Sequence, residues 1–80
     1  MDIEIVLNGE KYFVPEGTTL SQLVEQLHLV PEQLAIEWNR KVLKRNQWQW
    51  QVLSGGDCVE MVRFVGGGDP ANVGVPTITT

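Results

Sequence analysis

Ile3-Glu4-Ile5-Val6-Leu7-Asn8-Gly9-Glu10-Lys11-Tyr12-Phe13-Val14, running on into Pro15-Glu16-Gly17-Thr18-Thr19-Leu20, decides the fold class. Ile3, Ile5 and Leu7 alternate with Glu4 and Val6, the period of a strand with one buried face. Asn8-Gly9 tolerates positive φ at both positions and so favours a two-residue hairpin turn. Glu10 to Val14 returns as a second strand, with Tyr12 and Val14 on one face and Lys11 and Phe13 on the other. Pro15-Glu16-Gly17 ends it. Thr19 then has the features of a helix N-cap, and Gln22 completes a capping box. Leu20, Leu23, Val24 and Leu27 fall at i, i+3, i+4 and i+7, one apolar stripe. Pro31 disfavours a helical residue before it, which places the helix end near His28.

Beyond the helix the pattern turns back to strands. Leu34-Ala35-Ile36-Glu37-Trp38 is an apolar run of strand length, Asn39-Arg40 a turn and Lys41-Val42-Leu43 a short edge strand. Asn46-Gln47-Trp48-Gln49 suits one helical turn capped by Asn46, and Gln51-Val52-Leu53 suits a further short strand. Ser54-Gly55-Gly56-Asp57 is a turn. Cys58 to Val65 is the last and most apolar strand, which suits a central position. Hairpin, helix and further strands make an α+β protein: a mixed sheet with one main helix packed on one face. Residues 1–68 form one domain. From Gly66-Gly67-Gly68 onward the chain loses any usable period, and 69–80 reads as a flexible C-terminal tail outside the core.

Composition narrows the function. At 80 residues the chain holds one domain, and such a domain buries only roughly 60% of its unfolded surface, which disfavours a deep active site. The net charge of −4 argues against general nucleic-acid binding. Four of the six basic residues nevertheless cluster at Arg40, Lys41, Lys44 and Arg45, close to Trp38, Trp48 and Trp50. Aromatics beside cations can stack on single strands, pack a small core or meet an acidic protein. The N-terminus lacks a signal peptide's basic region and apolar run, and no apolar run approaches the ~20 residues of a membrane helix. The cytoplasm is the expected location, with no membrane partner.

No catalytic constellation emerges. Nucleophilic catalysis needs a nucleophile, a base and an orienting group, and nothing brings Cys58, the single cysteine, to His28, the single histidine. The carboxylates Glu4, Glu10, Glu16, Glu25, Glu32 and Glu37 are dispersed, without metal-ligand spacing. No helix pattern follows Gly66-Gly67-Gly68, so the glycines are not a phosphate loop. They read instead as a thin strip, without Cβ atoms, able to thread a narrow channel in another protein. The chain is expected to be no enzyme, with no bound metal or cofactor.

Asn8-Gly9-Glu10, then Gly17-Thr18-Thr19-Leu20, resembles the N-terminal half of the ThiS family, the sulfur carriers of thiamine thiazole synthesis. Ala35-Ile36-Glu37-Trp38-Asn39-Arg40, with Val42 and Trp48, is similar to that family's A-(V/I)-E-x-N segment and the tryptophan after it. Gly56-Asp57, Val59-Glu60-Met61-Val62 and Phe64-Val65-Gly66-Gly67-Gly68 are similar to its last strand and diglycine end. The resemblance implies a β-grasp, ubiquitin-like fold. It implies that an E1-like adenylyltransferase, using ATP-Mg, activates the carboxylate of Gly68, with Gly66 and Gly67 as the strip. It implies that a cysteine desulfurase or sulfur relay protein supplies the sulfur of a thiocarboxylate, and that thiazole synthase takes it. Met61, Val62, Arg63 and Phe64 are then candidates for docking. The family's mature form ends at the diglycine, whereas twelve residues follow Gly68 here. While they are attached, Gly68 carries an amide and cannot be adenylated. Removal of the tail, its membership of a fusion, and loss of carrier activity all remain open, as does another sulfur acceptor such as molybdopterin, or a role as a non-carrier interaction module.

Overall fold

The computed structural model describes residues 1–64. Strand β1 (Asp2–Leu7) pairs antiparallel with β2 (Glu10–Pro15) in the register Leu7↔Glu10 to Asp2↔Pro15. Asn8 and Gly9 make the turn with φ of 49° and 83°, the left-handed values whose twist suits adjoining strands. Helix α1 (Leu20–Gln26) opens with the expected box. The Gln22 N–H donates to Thr19 Oγ1 at 3.2 Å, and the Thr19 N–H donates to Gln22 Oε1 at 2.9 Å. It closes at Leu27 with His28 at φ 57°. The His28 N–H bonds the Glu25 carbonyl and the Leu29 N–H the Val24 carbonyl, so His28 fills the left-handed site of a Schellman cap, usually a glycine's.

A short 3-10 turn, Pro31–Gln33, leads into β3 (Leu34–Trp38). Asn39 and Arg40, both at positive φ, turn the chain into β4 (Lys41–Leu43). A 3-10 helix, Arg45–Trp50, follows, and β5 (Cys58–Arg63) completes the sheet. The strand order is β2-β1-β5-β3-β4. β5 is central, parallel to β1 through Val6↔Cys58 and Leu7↔Val59 and antiparallel to β3 from Leu34↔Arg63 to Trp38↔Val59.

Register and alternation sort the side chains. Ile5, Val14, Ile36, Val59 and Met61 face the helix, where they meet Leu20, Leu23 and Val24, with Trp48 and Leu53 closing the cluster. Each such side chain contributes about 1.5–3 kcal/mol by leaving water. The opposite face carries Glu4, Val6, Phe13, Glu37, Val42 and Glu60, none of them fully buried. This is the expected sheet, covered by a helix on one side.

Three local expectations are corrected. Asn46 is not the cap of the second helical segment. That segment starts at Arg45, its cap is Lys44, and Gln47 Oε1 takes the Lys44 N–H at 2.9 Å. Residues 51–53 form no strand. They make one bridge, Thr19↔Val52, flanked by Leu20 N–H to the Gln51 carbonyl and Leu53 N–H to the Thr18 carbonyl. The pairing stops there because α1 begins at Leu20 and turns its backbone donors inward. The last strand is described to Arg63, and Val65 lies outside the described residues.

Candidate functional site

The glycine strip Gly66, Gly67 and Gly68, with residues 69–80, also lies outside the described residues. What the structure defines is its root. Gly68 lies four positions beyond Phe64, so it can stand at most about 14 Å from Phe64. That root is held from two sides. The Met61 N–H donates to Asn8 Oδ1 at 2.7 Å, and Asn8 Nδ2 donates to the Met61 carbonyl at 3.4 Å. On the other flank the Phe64 N–H donates to the Gln33 carbonyl at 2.9 Å. The Asn8 carboxamide thus imitates a peptide group and carries the β1–β5 pairing past the end of β1. Sequence reasoning read Asn8 as a turn residue alone. Its one signal is chemical: of the side chains that favour this turn, asparagine both donates and accepts.

The other end of β5 rests on Asp57, which is 8% exposed. Its Oδ2 accepts from Trp38 Nε1 at 3.0 Å and from the Ser54 N–H at 2.8 Å, and its Oδ1 accepts from Asn39 Nδ2 at 3.1 Å. Asn39 Oδ1 in turn takes the Cys58 N–H at 2.8 Å. One carboxylate therefore ties the β3–β4 turn to the start of β5. Its oxygens are committed to structural donors, which leaves it a poor general base. Sequence reasoning placed Asp57 in a turn and did not find this role, because two of its donors lie 18 and 19 residues away.

The four docking candidates divide. Met61 is 4% exposed and sits opposite Ile36 on the helix side, so its side chain belongs to the core. This corrects its place among docking residues: one step in register decides which face a strand residue joins. Val62 points the other way yet is only 9% exposed. Arg63 is exposed and Phe64 partly so. Elsewhere the open face offers Phe13, on β2, and Val42, on β4, both more than half exposed. It also carries Glu37 and Glu60 directly opposite one another. Like charges in that relation cost stability, and a partner carrying a cation would relieve them.

Cys58 is exposed at the start of β5, and His28 caps α1. Among the described residues no three His, Cys, Asp or Glu side chains are grouped to hold a metal. No described helix is long and apolar enough to cross a membrane. A surface depression lined by Pro15, Glu16, Gly17, Thr18, Gln22, Glu25 and Gln26 is open and polar.

A mixed five-stranded sheet of this order, one helix on one face and the final strand in the centre, defines a β-grasp protein of the ubiquitin-like kind. The sequence model of the ThiS family matches residues 3–68, and the chain belongs to that family. It is similar to a solved ThiS protein of Geobacter metallireducens, with a TM-score of 0.72 and 29% identity over 82% of this chain and 100% of that one. It is 26% identical over 66 residues to the sulfur carrier protein ThiS of Escherichia coli, covering 82% of this chain and all of that protein. It is 41% identical over 66 residues to a thiazole synthase of Magnetococcus marinus. That match covers 82% of this chain, which spans only 20% of the synthase's length.

Proposed function

We propose that this chain is a sulfur carrier for thiazole formation in thiamine biosynthesis, and that Gly68, once its carboxyl group is free, bears the sulfur. The observation that carries the reading is the extent of the family match, which stops at Gly68, the last of three glycines. A carboxylate is a poor acyl donor. An E1-like adenylyltransferase, holding ATP and Mg, would let the Gly68 carboxylate attack the α-phosphorus and release pyrophosphate. Persulfide sulfur carried by a cysteine desulfurase or relay protein would then displace AMP to give an acyl disulfide, and a thiol that breaks its S–S bond, itself ending as a disulfide, would leave a thiocarboxylate for thiazole synthase. The carrier lends no catalytic group. Gly66 and Gly67 would admit the terminus to a closed site that excludes water. The partner's ATP chemistry lies wholly in the partner.

The peptide bond between Gly68 and Asp69 must be hydrolysed before this chemistry can begin. A chain ending at Gly68, incubated with the adenylyltransferase, ATP and a sulfur source, should gain about 16 Da, sulfur for oxygen. No gain under conditions that load the Escherichia coli carrier would refute the reading. Gly68→Ala should abolish loading. Unchanged function in that variant would favour a non-carrier module. Co-purification with a synthase other than the thiazole enzyme would favour another acceptor.

A further inference from the structure

A second surface lies on the opposite flank from the β1–β2 hairpin. Arg40 sits in the β3–β4 turn, Lys41 on β4, Lys44 just after it and Arg45 at the start of the 3-10 helix, all exposed. β4 is one of the two edge strands of the sheet. These four cations fall within six positions, and the remaining chain has two cations, Lys11 and Arg63, against ten carboxylates. Residues three apart on a 3-10 helix share a face, so Lys44, Gln47 and Trp50 line up, about 12 Å from end to end at 2 Å per residue. Trp50 is 78% exposed, the most exposed tryptophan, whereas Trp48 is buried and its Nε1 donates to the Leu43 carbonyl.

A lysine on an edge strand guards it against pairing with another sheet, and that accounts for Lys41. It does not account for Lys44, Arg45 and Trp50, which lie beyond the strand. Tryptophan and arginine are the residue types enriched among those that carry most protein-binding energy. We propose that the edge formed by Arg40, Lys41, Lys44, Arg45 and Trp50 docks an acidic segment of a partner protein. Charge selects the occupant. The strip is short and carries only positive side chains among its charged groups, which suits a carboxylate-rich peptide. A phosphate backbone would need a longer basic track. The inference goes beyond the carrier reading and does not depend on Gly68.

The test is an NMR titration of the full chain with a ten-residue peptide of alternating glutamate and leucine, and in parallel with a ten-nucleotide oligothymidylate. Peptide binding should shift the amides of residues 40–45 and the Trp50 indole N–H, and should weaken as salt is raised. Lys44→Glu with Arg45→Glu should lower the affinity about tenfold, one factor of ten being the effect of a strong charge contact. Lys11→Glu, on β2, should leave it unchanged, and the dispersion of the spectra confirms that each variant is folded. Shifts centred on the open sheet face, no saturable peptide binding, or tighter binding of the oligonucleotide at the same residues would each overturn the proposal.

Discussion

Asp57→Ala should remove much of the stability of this domain. The carboxylate accepts three hydrogen bonds, from Trp38, Asn39 and the Ser54 backbone, at 2.8–3.1 Å. Bonds to a charged group contribute about 1.5–3 kcal/mol each. They do not add in full, because Asn39 and Ser54 are exposed and find water when the carboxylate is gone. Trp38, partly buried, keeps an orphaned N–H. A loss of about 2–4 kcal/mol follows from the charged-bond values with that discount. A domain of this size holds about 3–10 kcal/mol in all. Urea unfolding followed by tryptophan fluorescence measures the loss. With a slope of about 1 kcal/mol per molar, the midpoint should fall by about 2–4 M, and unfolding in water alone is within range. Asp57→Asn should fall between wild type and alanine, since its amide nitrogen must face one of the three donors. A midpoint shift below about 1 M in Asp57→Ala would refute the view that this carboxylate anchors β5.

Asn8→Ala should cost about 2 kcal/mol by stranding the Met61 N–H and forcing alanine to φ 49°. Faster hydrogen exchange at Met61 and Val62 would report it. Glu60→Lys should raise stability by about 0.5–1 kcal/mol by turning the Glu37 opposition into an attraction, read as a higher melting temperature. If the adenylyltransferase docks on that face through cations, the same variant should load sulfur more slowly. His28→Gly should stabilise by about 0.5–1 kcal/mol, because the left-handed cap at φ 57° suits glycine better. An unchanged or lowered melting temperature would contradict this.

Much of the fold was legible because its signals are local. Thr19 and Gln22 lie three residues apart and satisfy each other's backbone. The 51–53 segment misled because its residues suit a strand, and only the start of α1 shows why pairing ends after one bridge. Asn46 misled because a good capping residue lay one position inside a helix that Gln47 had already closed onto Lys44. The candidate site was legible in part. The glycines and the family resemblance pointed to the end of β5, but which of Met61, Val62, Arg63 and Phe64 face outward was left open, because alternation alone gives two equivalent assignments of a strand.

What this sequence determined by itself is what neighbours a few residues apart can settle: the Asn8-Gly9 turn, the capped helix with its Leu20–Leu23–Val24 stripe, the order of elements, and a central place for so apolar a last strand. Only the tertiary structure decided that β5 lies parallel to β1 and antiparallel to β3, that Met61 faces inward, that Asn8 reaches a residue 53 positions away, and that Asp57 gathers two turns. The reason is physical. Turns and caps are stabilised within one or two turns of chain, whereas register is chosen by the joint burial of all strands against the helix, and one step of it exchanges core for surface.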